Sequence, residues 1–241
     1  MAQIQPAVDS FINDIKSIEK SFNKKLYSGV RGLSRLSETE LINSIAQLNL
    51  FNELIEEGYG EALDNLENEY GKILQQAIRE AEKRGVRALS GAGVQGLEVL
   101  KDLNTETLLG KAWDHSNTLT TQIFQNLYGG VPVNQIIQGL EALPLAPHQL
   151  NVATYTGIKT IDDMARYKVF EGADVKSTYF GPDDDKTREK CKKTIDLERK
   201  RFKKGFTEKQ VSDLDTPFGE RGGFNCRHSW QIKWIQKKLL N

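Results

Sequence analysis

The sequence predicts a mainly α protein, an extended helical region over residues 1–147 followed by a small α+β module over residues 148–241. Three observations predict it. Apolar residues recur at three- and four-residue steps through most of the chain before Leu143, the pattern of amphipathic helices. Leu143-Pro144-Leu145-Ala146-Pro147 then breaks the chain. Beyond it, one short segment is rich in β-branched and aromatic residues and another alternates as a half-buried strand does.

Taken in order, Ala7 to Leu26 places Val8, Phe11, Ile12, Ile15, Ile18 and Phe22 on one helical stripe. After Gly29 and Gly32, Ser37-Glu38-Thr39-Glu40 reads as a capping box that starts a second helix. That helix runs through Leu41, Ile45, Leu48, Phe51, Leu54 and Ile55 to Gly58-Tyr59-Gly60, where it is expected to kink or split, and resumes from Leu63 to Ala81. Ser90 to Gly96 holds three glycines and reads as a hinge. It is not a phosphate loop, because the Lys-Ser/Thr end and a preceding strand are missing. Helices are expected again over Thr105–Tyr128, with Trp113 and Phe124 as core anchors, over Val133–Leu143, and over His148–Glu171. Val175–Phe180 reads as a strand ending at Gly181-Pro182, and Ser229–Ile235 as its partner.

Composition excludes several classes. No apolar run approaches about 18 residues and the N-terminus has neither a basic start nor an apolar stretch, so no membrane span or signal peptide is expected and the protein is expected to stay where it is made. Formal net charge is zero. Residues 176–241 nevertheless carry 17 Lys/Arg against 10 Asp/Glu, a basic quarter suited to a polyanion or to solvent. Two cysteines in 241 residues do not make a disulfide framework.

The chemistry concentrates in two segments, Tyr179 to Cys191 and Gly222 to His228. An Asp at 184 or 185 is expected to cap a helix starting near Lys186, placing Cys191 one to two turns in. Asp183, Asp185 and Thr187 mimic half of a calcium loop, but Arg188 and Thr194 stand where its Gly and bidentate acid belong, which excludes an EF-hand. Cys191, Cys226 and His228 are three candidate zinc ligands, with Asp183, Asp185 or a water for the fourth position. Spacing alone favours two unlinked cysteines in a packed turn, with a metal site and a Cys191–Cys226 disulfide as equal alternatives, since no CxxC knuckle is present. His115, in a helical pattern, and His148, beside the proline turn, read as structural.

The run Tyr-x-Gly-Pro-Asp-Asp-x-Lys-Thr-Arg-x-x-Cys over 179–191, a polar helical spacer, and Gly-Gly-Phe-Asn-Cys-Arg-His over 222–228 resemble the C-terminal motif of phage minor head proteins of the Mu F type, the portal-associated head morphogenesis family. The resemblance spans roughly residues 148–235. Family members typically show Asp-x-x-Thr-Arg-x-x-His and a closing Asn-Cys-Arg-Cys. This chain resembles them with Cys191 in the His place and His228 in the last Cys place, an exchange that keeps three zinc ligands but would not keep a disulfide pair. An Arg-x-Thr-Glu element of many relatives is replaced here by Ala153-Thr154-Tyr155-Thr156-Gly157, so no role of that Arg and Glu carries over.

What the resemblance implies is a virion protein without turnover, assembled in the host cytoplasm in multiple copies around a ring, with portal and capsid proteins as partners, packaged DNA as a further contact and a role in head morphogenesis and DNA ejection. Two other classes remain open. One is an enzyme, either a metal-dependent nuclease using Asp183, Asp185 and His228 or a thiol enzyme using Cys191 or Cys226 with His228. The other is a non-specific DNA-binding module using Lys190, Lys192, Lys193, Arg199, Lys200 and Arg201, together with Lys203 and Lys204, on phosphates.

Overall fold

The computed structural model describes residues 4–83, 91–145, 147–171, 175–223 and 225–234. The fold is mainly helical with one two-stranded sheet near the C-terminus. In order it contains α1 (Ile4–Leu33), α2 (Glu38–Gln47), α3 (Leu50–Leu54), a π turn (Ile55–Tyr59), α4 (Gly60–Glu82), α5 (Gly91–Tyr128), α6 (Val133–Glu141), α7 (Pro147–Phe170), β1 (Val175–Phe180), α8 (Glu189–Lys200), α9 (Glu208–Ser212) and β2 (Ser229–Trp234). Among the described residues no helix is long and apolar enough to cross a membrane. The chain divides into two compact units, residues 1–67 with 104–154, and residues 68–103 with 155–241.

In the first unit α1 buries Val8, Phe11, Ile12, Ile15 and Phe22 of the predicted stripe, leaves Ile18 half-buried, and continues through Gly29 and Gly32 to Leu33, burying Val30. Burial of that face outweighs the helix cost of about 1 kcal/mol per glycine. The Glu40 carboxylate accepts the Ser37 N–H (2.9 Å), as the capping box requires. The next helix does not run unbroken to Gly58. It stops at Gln47, and Asn49 caps α3 by accepting the Asn52 N–H (3.1 Å). Gly58 then kinks the chain at φ 121°, a conformation that L side chains rarely adopt. The kink delivers Tyr59 into the core, where its hydroxyl donates to the Leu108 carbonyl (2.9 Å). Trp113 is not a core anchor: it is 51% exposed and makes an edge contact with Phe51, because Leu108, Ala112, Leu119 and Ile123 take the inward face of α5.

In the second unit, the segment expected to hinge is helical from Gly91 onward, so Gly91, Gly93 and Gly96 form the opening turns of α5; Ser90 lies outside the described residues. Leu97 anchors this start by burial with Ala77, Ala81, Ala165, Val169 and Phe170. β1 and β2 pair antiparallel with Tyr179 opposite Trp230 and Phe180 opposite Ser229. Ser177 exchanges both backbone hydrogen bonds with Phe206 (2.8 Å each), adding a bridge on the other edge of β1. A second core gathers Tyr179, Cys191, Ile195, Phe206, Val211, Phe218, Cys226 and Trp230, and Met164 packs against both cores. The helix after the Asp run starts at Glu189 rather than near Lys186. Asp184 does not cap it but closes its own turn, accepting the Lys186 N–H (3.0 Å) and the Thr187 hydroxyl (3.1 Å).

Candidate metal centre

Three elements converge on one buried point. β1 brings Tyr179, the first turn of α8 brings Cys191, and the turn leading into β2 brings Cys226 and His228. Cys191, Cys226 and His228 are 1%, 4% and 2% exposed, and their donor atoms all lie within 4.8 Å of one another. The two Sγ atoms are 3.9 Å apart and Cys226 Sγ is 3.7 Å from His228 Nδ1. Both thiols are free, since a disulfide would need about 2.05 Å between the sulfurs. A tetrahedral zinc with its usual bond lengths sets donors about 3.8 Å apart for two sulfurs and about 3.6 Å for sulfur and nitrogen. The spacings of Cys226 to Cys191 and to His228 fit a metal of that size.

Local backbone geometry makes this approach possible. A Cβ on Gly222 would stand 2.3 Å from Cys191 Sγ and 2.6 Å from Cys226 Sγ, and one on Gly181 would stand 2.3 Å from the His228 ring. Both glycines are therefore required by contact. Arg221 and Asn225 adopt φ of 51° and 54°, and Gly223 adopts 88°, which folds the segment before Cys226 into a tight turn. Side chains pin that turn from several directions. Arg188 donates to the Gly222 carbonyl (2.6 Å), Thr156 accepts the Asn225 N–H (3.1 Å), and Arg221, 1% exposed, donates to Asp163 (3.2 Å) and Thr160 (3.0 Å) on α7.

Electrostatics prepare the donors. His228 Nε2–H donates to the Pro182 carbonyl (2.8 Å), which fixes the tautomer and leaves the Nδ1 lone pair facing the sulfurs. Burial, aided by Lys159 and Arg227, pushes the His228 imidazole below its ordinary value, so the neutral ligand form is favoured. Burial acts to raise both thiols. It prevails at Cys191, whereas at Cys226 the N–H groups of His228 and Gly222 and the Tyr179 hydroxyl hold the thiol below its ordinary range. Burial also pushes the Asp163 carboxyl up to about 7, against the pull of Arg221. Asp163 Oδ1 and Arg221 Nε have no hydrogen-bond partner, so this buried pair is only partly satisfied.

Asp183 and Asp185, expected as a fourth ligand, are not part of the donor group. Both are exposed, and Asp183 accepts from Arg199 (2.7 Å). Of the basic residues proposed for phosphate contact, Arg199 and Lys200 pair with Asp183 and Asp196 (2.7 and 3.1 Å). Lys193 and Arg201 are exposed, Lys190 and Lys192 half-buried. Helical geometry sets Lys192 and Arg199 about half a turn from Lys190, so these charges surround α8 instead of forming one stripe. Tyr179, Gly181, Pro182, Arg188 and Gly222 support the site from within the two motif segments, and Arg221 supports it from outside them. The motif marks the first five positions but not what they do, since neither the carbonyl of Pro182 nor the buried guanidinium of Arg221 announces its role in residue type.

No protein-family model, curated protein or solved structure matches the chain.

Proposed function

We propose that this chain is a structural protein of a bacteriophage particle, a minor head protein of the Mu F type, whose C-terminal module is a zinc-stapled knob used in contacts with portal and capsid proteins. The observation that carries this reading is the meeting of Cys191, Cys226 and His228 from the two segments on which the family resemblance rests. Two thiolates and an imidazole suit zinc, and a buried donor set of this kind contributes folding free energy. Cys191, Cys226 and His228 would hold the ion, and Pro182, Gly222 and Arg188 orient them.

Two features weigh for a structural role over the enzyme readings. A nuclease of the kind considered above needs Asp183 and Asp185 beside His228, yet Asp183 is taken up by Arg199 and neither acid belongs to the donor group. A thiol nucleophile has to reach substrate, and both sulfurs are buried. The test is composition and capture: mass spectrometry of purified particles is expected to find the chain, and a tagged copy is expected to recover portal and capsid proteins. Absence from particles together with recovery of neither partner overturns the proposal.

A further inference from the structure

The three donors leave one corner of a tetrahedron to be filled, and a hydroxyl from β1 lies beside both sulfurs. Tyr179 Oη lies 3.4 Å from Cys191 Sγ and 3.9 Å from Cys226 Sγ. In a zinc tetrahedron an oxygen ligand stands about 3.6 Å from each sulfur, midway between these two distances. The ring cannot readily swing away. It stacks on His228 with centroids 5.1 Å apart and planes 6° from parallel, and it contacts Trp230 at 4.8 Å on the other strand. The residue is 6% exposed, so a water taking the same corner would have to displace the hydroxyl within a packed aromatic cluster.

Resting on the zinc reading above, we propose that Tyr179 Oη is the fourth ligand, closing the site with two sulfurs, one nitrogen and one oxygen. Without metal the Tyr179 hydroxyl donates a hydrogen bond to Cys191 Sγ. When zinc enters, the Oη–H bond breaks, its electron pair forms the bond to zinc, and the proton leaves to solvent as the thiol protons do. No oxidation is involved. Two thiolates and one phenolate around a divalent ion leave one net negative charge. Arg188 near Cys191, Arg227 near Cys226 and Lys159 near His228 surround that charge with cations. A site closed in this way has no open position for substrate, which is the structural rather than the catalytic form of a zinc centre.

The experiment is a zinc titration of the full chain after chelator treatment, read by ultraviolet difference absorption for tyrosinate and by a thiol reagent for the cysteines. The expected result is one tyrosinate per zinc bound, absent in Tyr179→Phe, which retains the ring stack and binds zinc roughly 10–100-fold more weakly. Zinc uptake that protects both thiols without a tyrosinate signal overturns the inference and leaves the zinc reading standing. A signal that persists in Tyr179→Phe overturns it equally. No zinc uptake and two reactive thiols overturn the zinc reading and the inference together. Should Tyr179→Phe not fold, the wild-type titration decides alone.

Discussion

In the unit of residues 1–67 and 104–154, α1 buries apolar side chains almost from end to end, and few buried polar groups need matching. The segment 175–234 is built the other way round. Its helices are short, and its buried groups include Ser177, Thr187, Thr194, Thr216, Arg221, His228 and Ser229, several of them held by specific side-chain hydrogen bonds. Thr194 and Thr216 share a hydrogen bond (2.8 Å), and the Trp230 indole N–H donates to the Thr216 carbonyl (2.8 Å). A helical stripe is stabilised in proportion to area and tolerates small errors. A small polar core depends on every contact being made, and a bound metal is one way to offset the apolar area it lacks.

The sharpest way to break this contrast is at the donors. Cys226→Ala or His228→Ala is expected to abolish zinc retention and to open 175–234 to protease, while most of the helical circular dichroism persists. Gly222→Ala is expected to act nearly as strongly, since its methyl would collide with both sulfurs; a zinc affinity within twofold of wild type contradicts that contact. Next comes the buried pair. Above about pH 7, where Asp163 is ionised, Asp163→Ala leaves the Arg221 guanidinium buried without its carboxylate, and urea unfolding is expected to show a loss of about 3–5 kcal/mol.

Asp163 also supplies a pH signature. Its native value of about 7 lies above the ordinary 3.8, so the folded chain binds a proton that the unfolded chain has released. The stability due to this group is full below the ordinary value and is lost as pH rises through the native one. Urea midpoints are expected to fall between about pH 4 and 7 in the wild type and to flatten over that window in Asp163→Asn. The smallest effect belongs to the apolar unit. Tyr59→Phe keeps the buried ring and loses only its bond to the Leu108 carbonyl, with an expected cost of about 1 kcal/mol.

The same contrast explains what could be read in the sequence. Period located α1 and α6, which each bury one face, whereas β1 was legible from its β-branched and aromatic residues before Gly181-Pro182 and β2 from its alternation. The capping box at Ser37 and Glu40 was legible because it is a local hydrogen-bond pattern. The break at Asn49 escaped because Leu48, Phe51 and Leu54 keep the helical period across it. Trp113 misled because size suggests a core anchor, whereas position on the helix decides. In the motif, residue types announced Cys191, Cys226 and His228 as potential donors. Their meeting depends on the β1–β2 register, the positive φ at Arg221 and Asn225, and a carbonyl at Pro182, none of which spacing encodes.

Whether those three donors hold a metal is decided by metal analysis paired with a thiol count on protein purified without added metal. One zinc per chain, with Cys191 and Cys226 unreactive until a chelator is added, is the predicted result. Metal-free protein with both thiols reacting at once, or with the two sulfurs joined to each other, would contradict it.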